Sequence, residues 1–416
     1  MNYDERESPH FLLRYNLRNP LNGKGYGAGG VRDDAMIDTY IAALERLYEV
    51  MTSPPWSRPP PIVGTEGKTI VKVLNIAELK KRANDPFTDA DLNGVPYICL
   101  PCGNDEPTVE GERLRAIAEA VHEATHVFNW RERPLRDLNA TADLHSNPKW
   151  WWWMHEAMAL YMETVVLKDN DDFHRFLRHW VVLPEVPLDE WNPGYQAGTF
   201  LCYLDDMMGP EIINKIWTSS SPTEKPLQAI ARVLMEEGCT FSSHSPDDAD
   251  VFASGYCMSS YFLQDAGNAR HVRNLFQRHG ERAVSETFCL SMGDPQSAED
   301  SLNHLACRYY RFFPDSRITK LEVNLLADGS RGPTTLKAEL AVVTRDKQRG
   351  PVYKLRPASS SASAGGSMRL SAEINQLAPG DIDHIVLVVS NCGFGGMEQH
   401  PQYYDGKKYT ITVKGH

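Results

Sequence analysis

Apolar positions in the first hundred residues alternate between two periods. Residues 11–15 (Phe11-Leu12-Leu13-Arg14-Tyr15), 69–74 and 97–100 read as strands. Between the first two, Met36, Ile37, Tyr40, Ile41, Leu44, Leu47 and Tyr48 recur at three- and four-residue steps and predict a helix over 33–51. The proline-rich stretch 54–61 reads as a connector, with docking of a partner as the alternative. Leu114, Ile117, Ala118, Val121, Thr125 and Phe128 predict an amphipathic helix. The run 150–163 is apolar, lacks Gly and Pro and follows Pro148, so a second helix starting near Lys149 is expected. From 171 to about 311 the pattern reads as helical throughout, broken at Pro184, Pro210, Pro222, Pro246, Gly267 and Pro295. After Pro314 come short strands at 319–325, 336–343, 368–374, 382–389 and 409–413, which predict an all-β sandwich, with 359–366 as a flexible loop inside it. The expected plan is an α+β domain made of an N-terminal α/β part (1–110) and a helical lobe (111–315), followed by the sandwich (316–416).

Chemistry concentrates on the two central helices. His122-Glu123-Ala124-Thr125-His126 reads H-E-x-x-H. Two imidazoles at i and i+4 share a helix face and suit one zinc ion, with the intervening Glu123 as general base. Apolar and small neighbours surround these three residues, where unpaired charge is costly. A catalytic zinc needs a third protein ligand. Asp143 and His145 lie in a polar, loop-like stretch. Glu156, a carboxylate flanked by Ala157 and Ala159 in an apolar helix, is the better candidate. His155 is a rival whose side chain points about 100° around the helix. The metzincin extension, which needs Gly three residues after the second His, fails at Asn129, with Glu132 three further on.

H-E-x-x-H followed by Trp153, Glu156, Ala157, Ala159, Tyr161 and Glu163 resembles the gluzincin metallopeptidases. The resemblance implies a zincin-like catalytic domain of a small mixed sheet and a helical lobe. It implies a single zinc held by His122, His126 and Glu156, and peptide-bond hydrolysis. Glu156 follows His126 by 30 positions, longer than the usual gluzincin interval, so an insertion between the helices is implied. Residues 193–211 are similar to the aminopeptidase and leukotriene-hydrolase branch, which implies that the Tyr195 phenol steadies the oxyanion; packing of the ring on the core is the alternative. Glu163 is a candidate to orient a ligand imidazole, against a solvated carboxylate or an ion pair with Lys168. The branch's strand for gripping a free N-terminus has no counterpart, which favours endopeptidase over aminopeptidase action. Residues 95–101 are the candidate for the edge strand lining the substrate cleft, with Tyr97 on it. The four consecutive tryptophans are expected to pack in the core, Trp153 being the one that could instead wall the cleft.

Composition narrows the partners. The chain of 416 residues is 42% hydrophobic and 24% charged, enough for a sizeable core, and its net charge of −12 argues against nucleic acid. No apolar run has membrane-spanning length, and the first residues do not read as a signal peptide, leaving a cytoplasmic protein or a secreted one begun after signal removal. The expected substrate is a peptide or protein, with or without glycans. Two other readings compete: a catalytically silent gluzincin-like binding protein, and a zinc-dependent hydrolase of a non-peptide bond. The eight cysteines leave the compartment open: Cys99 and Cys102 form a lone C-x-x-C. Asn139-Ala140-Thr141 is a glycosylation sequon that matters in a secreted protein.

Overall fold

The computed structural model describes residues 4–15, 34–64, 66–74, 79, 86–91, 93–101, 109–132, 151–167, 184–189, 196–221, 224–243, 245, 247–261, 284–328, 335–346, 349–357, 367–378, 380–393 and 406–416. It is a mixed α/β protein that divides into two compact units, one of Met1–Arg178 with Leu204–Glu224, the other of His179–Tyr203 with Lys225–His416. The helical lobe expected over 111–315 is therefore shared between the units.

The first unit is built on one five-stranded sheet. Its strands are β1 (Asp4–Glu7), β2 (Phe11–Tyr15), β3 (Thr69–Leu74), β4 (Phe87–Ala90) and β5 (Pro96–Pro101), in the order β1-β2-β3-β5-β4. β2, β3 and β5 run parallel, and the antiparallel β1 and β4 close the two edges. The expected cleft-edge strand is thus not an edge. β5 lies between β3 and β4, and the four-residue β4 takes the outer position. Helix α1 (Asp34–Thr52) follows the predicted amphipathic stripe and buries Ile37, Tyr40, Leu44, Leu47 and Met51 completely.

Helix α2 (Val109–Glu132) carries the H-E-x-x-H motif and packs on α1, β4, β5 and α3 (Trp152–Val166). From Ala120 to Trp130 every residue of α2 is buried except the half-buried His122. Ala116, Ala120 and Ala124 are almost without exposure, and such small side chains let neighbouring backbones come close. Helix α3 is buried on nearly every side from Trp153 onward, as its continuous apolar run requires. Trp151 donates its indole N–H to the Glu224 carbonyl at 3.0 Å and meets Trp217 edge-on at 5.4 Å, so this tryptophan packs as expected. Lys149 and Trp150, where the helix was expected to start, lie outside the described residues.

Helix α4 (Gln196–Met208) spans the division, and α5 (Pro210–Ser219) belongs to the first unit. Gly209 joins them at φ +88°, where a side chain would be strained and a Cβ would meet the Glu211 carboxylate at 2.7 Å. The connector 54–61 is anchored rather than free. Arg58, 3% exposed, pairs with Glu132 at the end of α2, donates to Asn214 Oδ1 on α5 at 3.1 Å and lies 5.3 Å from the Trp217 ring centre.

The second unit contains α6 (Pro226–Glu236), a π-helical turn (Val251–Cys257), α7 (Met258–Tyr261) and two further five-stranded sheets. One sheet takes β6 (Glu286–Leu290), β8 (Ala306–Pro314), β10 (Leu336–Thr344), β11 (Arg349–Lys354) and β14 (Ile382–Asn391). The other takes β7 (Gln296–Leu302), β9 (Lys320–Ala327), β12 (Arg356–Pro357), β13 (Met368–Asn375) and β15 (Lys407–Gly415). Their inward residues, among them Tyr310, Phe312, Leu340 and Leu387 from one and Leu321, Val323, Leu325 and Ile411 from the other, form a common core. The sandwich begins at Glu286, not near 316, which corrects the expectation of helix up to 311. Buried and solvated residues alternate along β7, and β8 sets Tyr309, Tyr310 and Phe312 on a pleated surface that suits aromatic side chains. The expected loop at 359–366 lies outside the described residues.

Replacing Arg58 by Ala is expected to destabilise the first unit by about 3 kcal/mol, the lower end for removing one partner of a buried pair, because Glu132 keeps some solvent. Urea unfolding followed by tryptophan fluorescence checks this. A loss below about 1 kcal/mol, as for an exposed pair, would show that the connector is not held by this contact.

Candidate metal centre

The turn of α2 at His122–His126 faces the first half of α3. The imidazoles of His122 and His126, one helical turn apart, have ring centres 4.9 Å apart at 78°. Glu156 of α3 reaches both, with Oε2 3.2 Å from His122 Nε2 and Oε1 3.5 Å from His126 Nε2. One ligand-type atom from each of the three residues lies within 4.8 Å of the others, so the group could hold a metal ion. The donor set of two imidazoles and one carboxylate suits zinc. Glu163, two turns beyond Glu156, accepts a hydrogen bond at 2.6 Å at His122 Nδ1. That contact takes the ring nitrogen facing away from the cluster and leaves Nε2 directed at it, as an outer partner of a ligand imidazole should. The rival His155 is not in the group. It is fully buried, with its ring centre 6.3 Å from His126 and 5.0 Å from Trp217.

Burial and charge set the protonation of the metal-free cluster. Burial opposes charge on His122, but the carboxylates of Glu156 and Glu163 outweigh it and hold its pKa well above the ordinary value. For His126 burial prevails over the pull of Glu156 and lowers the pKa to about 4. Burial raises Glu163 despite its bond to His122. Without a metal these shifts favour a proton on His122, next to Glu156 and Glu163. Glu123, 6% exposed, is raised by burial to about 7.

Glu123 has a partner that the sequence reading missed. Thr88 Oγ1 on edge strand β4 lies 2.9 Å from Glu123 Oε2 and 2.8 Å from the Glu123 carbonyl oxygen. A four-residue strand leaves too little alternation to be seen in sequence.

The same strand corrects Tyr97. Thr88 pairs with Ile98 and Asp89 with Tyr97, so Thr88 and Tyr97 stand on opposite faces of the sheet. Tyr97 donates to Asp89 Oδ2 at 2.9 Å, has Lys72 Nζ 3.4 Å above its ring and packs with Leu74, Leu79 and Cys99. It does not line the face that meets Glu123. Trp153 is 4% exposed and forms part of the interior rather than an open cleft wall. Tyr195, Asp143, His145, Cys102 and the sequon at 139–141 lie outside the described residues.

Residues 108–253 match a family described as "Family of unknown function (DUF6055)"; this segment carries His122, Glu123, His126, Glu156 and Glu163. No curated protein matches. Among solved structures, a family GH115 4-O-methyl-α-glucuronidase with specificity for decorated arabinogalactans is similar at 8% identity. The match covers 72% of this chain and 39% of that one, with a TM-score of 0.17, too low to bear on fold or activity.

Two outcomes follow from the His122 environment. Because its pKa in the metal-free fold is raised, the site is protonated at neutral pH and a metal must displace that proton. Metal affinity is therefore expected to rise with pH until the raised pKa is passed and to fall as pH drops below it. Calorimetry in buffers of different ionisation heat reads the released proton. Replacing Glu163 by Gln is expected to weaken metal binding about 10–100-fold; unchanged affinity would make Glu163 a mere packing residue.

Proposed function

We propose that this chain is a zinc-dependent peptide-bond hydrolase of gluzincin type, more an endopeptidase than an aminopeptidase. The observation that carries the reading is the convergence of His122 Nε2, His126 Nε2 and the Glu156 carboxylate, with Glu123 next to them on the same helix. The zincin-like assignment draws support from a small mixed sheet packed on the motif helix. Zinc bound by these three side chains would acidify a water and polarise a carbonyl.

The chain's own groups account for the rest of the chemistry. His122 and His126 serve as neutral ligands, His122 oriented by Glu163. Glu123 takes the proton of the attacking water and returns it to the leaving amine, a task suited to a carboxyl that burial has shifted toward neutrality. Thr88 Oγ1 stands against Oε2 of that carboxylate, its one proton shared with the Glu123 carbonyl oxygen, and leaves the second oxygen to work. Among the described residues β4 pairs only with β5. An extended chain added along its open side would lie beside Glu123, and backbone pairing of that kind recognises a peptide. An added strand binds internal segments of a chain as readily as ends, in keeping with endopeptidase action.

The test combines metal analysis with cleavage of quench-labelled casein. One equivalent of zinc and chelator-sensitive cleavage are expected. Glu123→Gln should retain zinc and lose about 10²–10⁴-fold in rate, whereas Glu156→Ala should lose zinc. Full zinc occupancy in Glu156→Ala would sink the ligand assignment, and zinc without cleavage would favour a silent binding protein or a non-peptide substrate. Thr88→Val is expected to lower kcat roughly five-fold, the worth of about 1 kcal/mol for one hydrogen bond, with KM unchanged and Thr88→Ser near wild type. A change in KM alone would instead assign Thr88 to substrate binding.

A further inference from the structure

Two polar side chains in the interior beside the metal centre have unbonded atoms. Asn129 on α2 is fully buried, and among the described residues neither its Oδ1 nor its Nδ2 has a hydrogen-bond partner. His126, three residues earlier, is 7% exposed, and its Nδ1 is likewise unbonded. Residues three apart on a helix are neighbours on one face. Buried polar atoms without partners are rare, and each calls for a physical reason. Three of them on one patch of one helix point to a shared one.

The two histidines of the motif differ in this respect. His122 has its outer nitrogen engaged by Glu163 at 2.6 Å, whereas His126 has no such acceptor among the described residues. An imidazole that offers Nε2 to a metal carries its proton on Nδ1 and needs somewhere to donate it. A second carboxylate there would add another buried charge to a cluster that already holds Glu123, Glu156 and Glu163. A neutral amide meets the need without that cost.

We propose that a buried water links His126 Nδ1 to Asn129 Oδ1, making Asn129 the positioning residue for the second histidine ligand. The water accepts the Nδ1–H and donates to the amide oxygen, while the Asn129 Nδ2–H faces the same hydration site. The two side chains are not in hydrogen-bond contact with each other, and three polar atoms supply the two to four partners that a buried water requires. The inference rests on the metal reading, since only a ligated His126 must keep its proton on Nδ1.

The test compares wild type with Asn129→Leu and Asn129→Asp in two measurements, zinc affinity by chelator competition and thermal unfolding of the zinc-free protein. Asn129→Leu should bind zinc about 10–100-fold more weakly. Its zinc-free form should still unfold cooperatively near the wild-type temperature, so that the affinity loss is not a loss of fold. Asn129→Asp, which keeps an acceptor, should stay within a few-fold of wild type. Zinc affinity unchanged in Asn129→Leu, or lost equally in both variants, overturns the proposal and leaves the metal reading intact. A wild-type protein that fails to hold zinc overturns the metal reading, and this proposal with it. Should Asn129→Leu not fold, imidazole NMR of zinc-loaded wild type decides. A protected His126 Nδ1–H with a cross-peak to a long-lived water is expected, and a contact to a protein oxygen alone overturns the proposal.

Discussion

Glu156 and Glu163 enter the interior of the first unit on a helix whose neighbouring positions, Met154, Ala157, Met158, Ala159, Leu160 and Met162, are apolar and almost fully buried. Carboxylates in such a place cost several kcal/mol each unless a positive charge meets them. His122 lies against both, at 3.2 Å and 2.6 Å. The packing of α2 on α3 therefore gains from a cation at this point, whether a proton on His122 or a metal ion among His122, His126 and Glu156. The small residues of α2, with Ala120 and Ala124 all but fully buried, permit the close approach that brings the charges together. Stability and metal affinity would share one interaction: a buried cluster of three carboxyl groups and two imidazoles is costly to keep charged unless it binds something positive.

The parts of the site that were legible in sequence are those whose geometry is local or whose cost is obvious. Four-residue spacing puts His122 and His126 on one helix face regardless of the rest of the fold. Glu156 stood out as a charge in an apolar helix and Glu163 as lying two turns beyond it on nearly the same face, and the long interval from His126 to Glu156 did not keep the side chains apart. What escaped notice depends on strand order. Whether Tyr97 or Thr88 faces α2 follows from which strand is the edge and which residue opposes which across β4 and β5. That information resides in pairing between distant segments, not in periodicity. Asn129 escaped for a different reason: read as the failed glycine of a metzincin pattern, it drew no attention as a polar group in its own right.

In the second unit the strands that alternate clearly in sequence were found with small shifts, β9, β10, β13, β14 and β15 among them. The strands β6, β7 and β8 were read as helix. Their apolar residues are sparse, as in Gln296-Ser297-Ala298-Glu299-Asp300-Ser301-Leu302, where Ala298 and Leu302 are the only apolar ones. A four-residue interval between two apolar positions fits a helical face as well as a strand, and the sheet around it decides. The division of the chain at 179–203 and 204–224 was equally hidden, because helix α4 is apolar along most of its length and its sequence marks no boundary.

Anomalous scattering at the zinc edge, from crystals of protein equilibrated with zinc, tests the central claim most directly. The expected result is one peak within about 2.0–2.2 Å of a nitrogen of His122, a nitrogen of His126 and an oxygen of Glu156, with His122 Nδ1 still bonded to Glu163. Absence of a peak at these residues, or a peak ligated by His155 in place of Glu156, would contradict it.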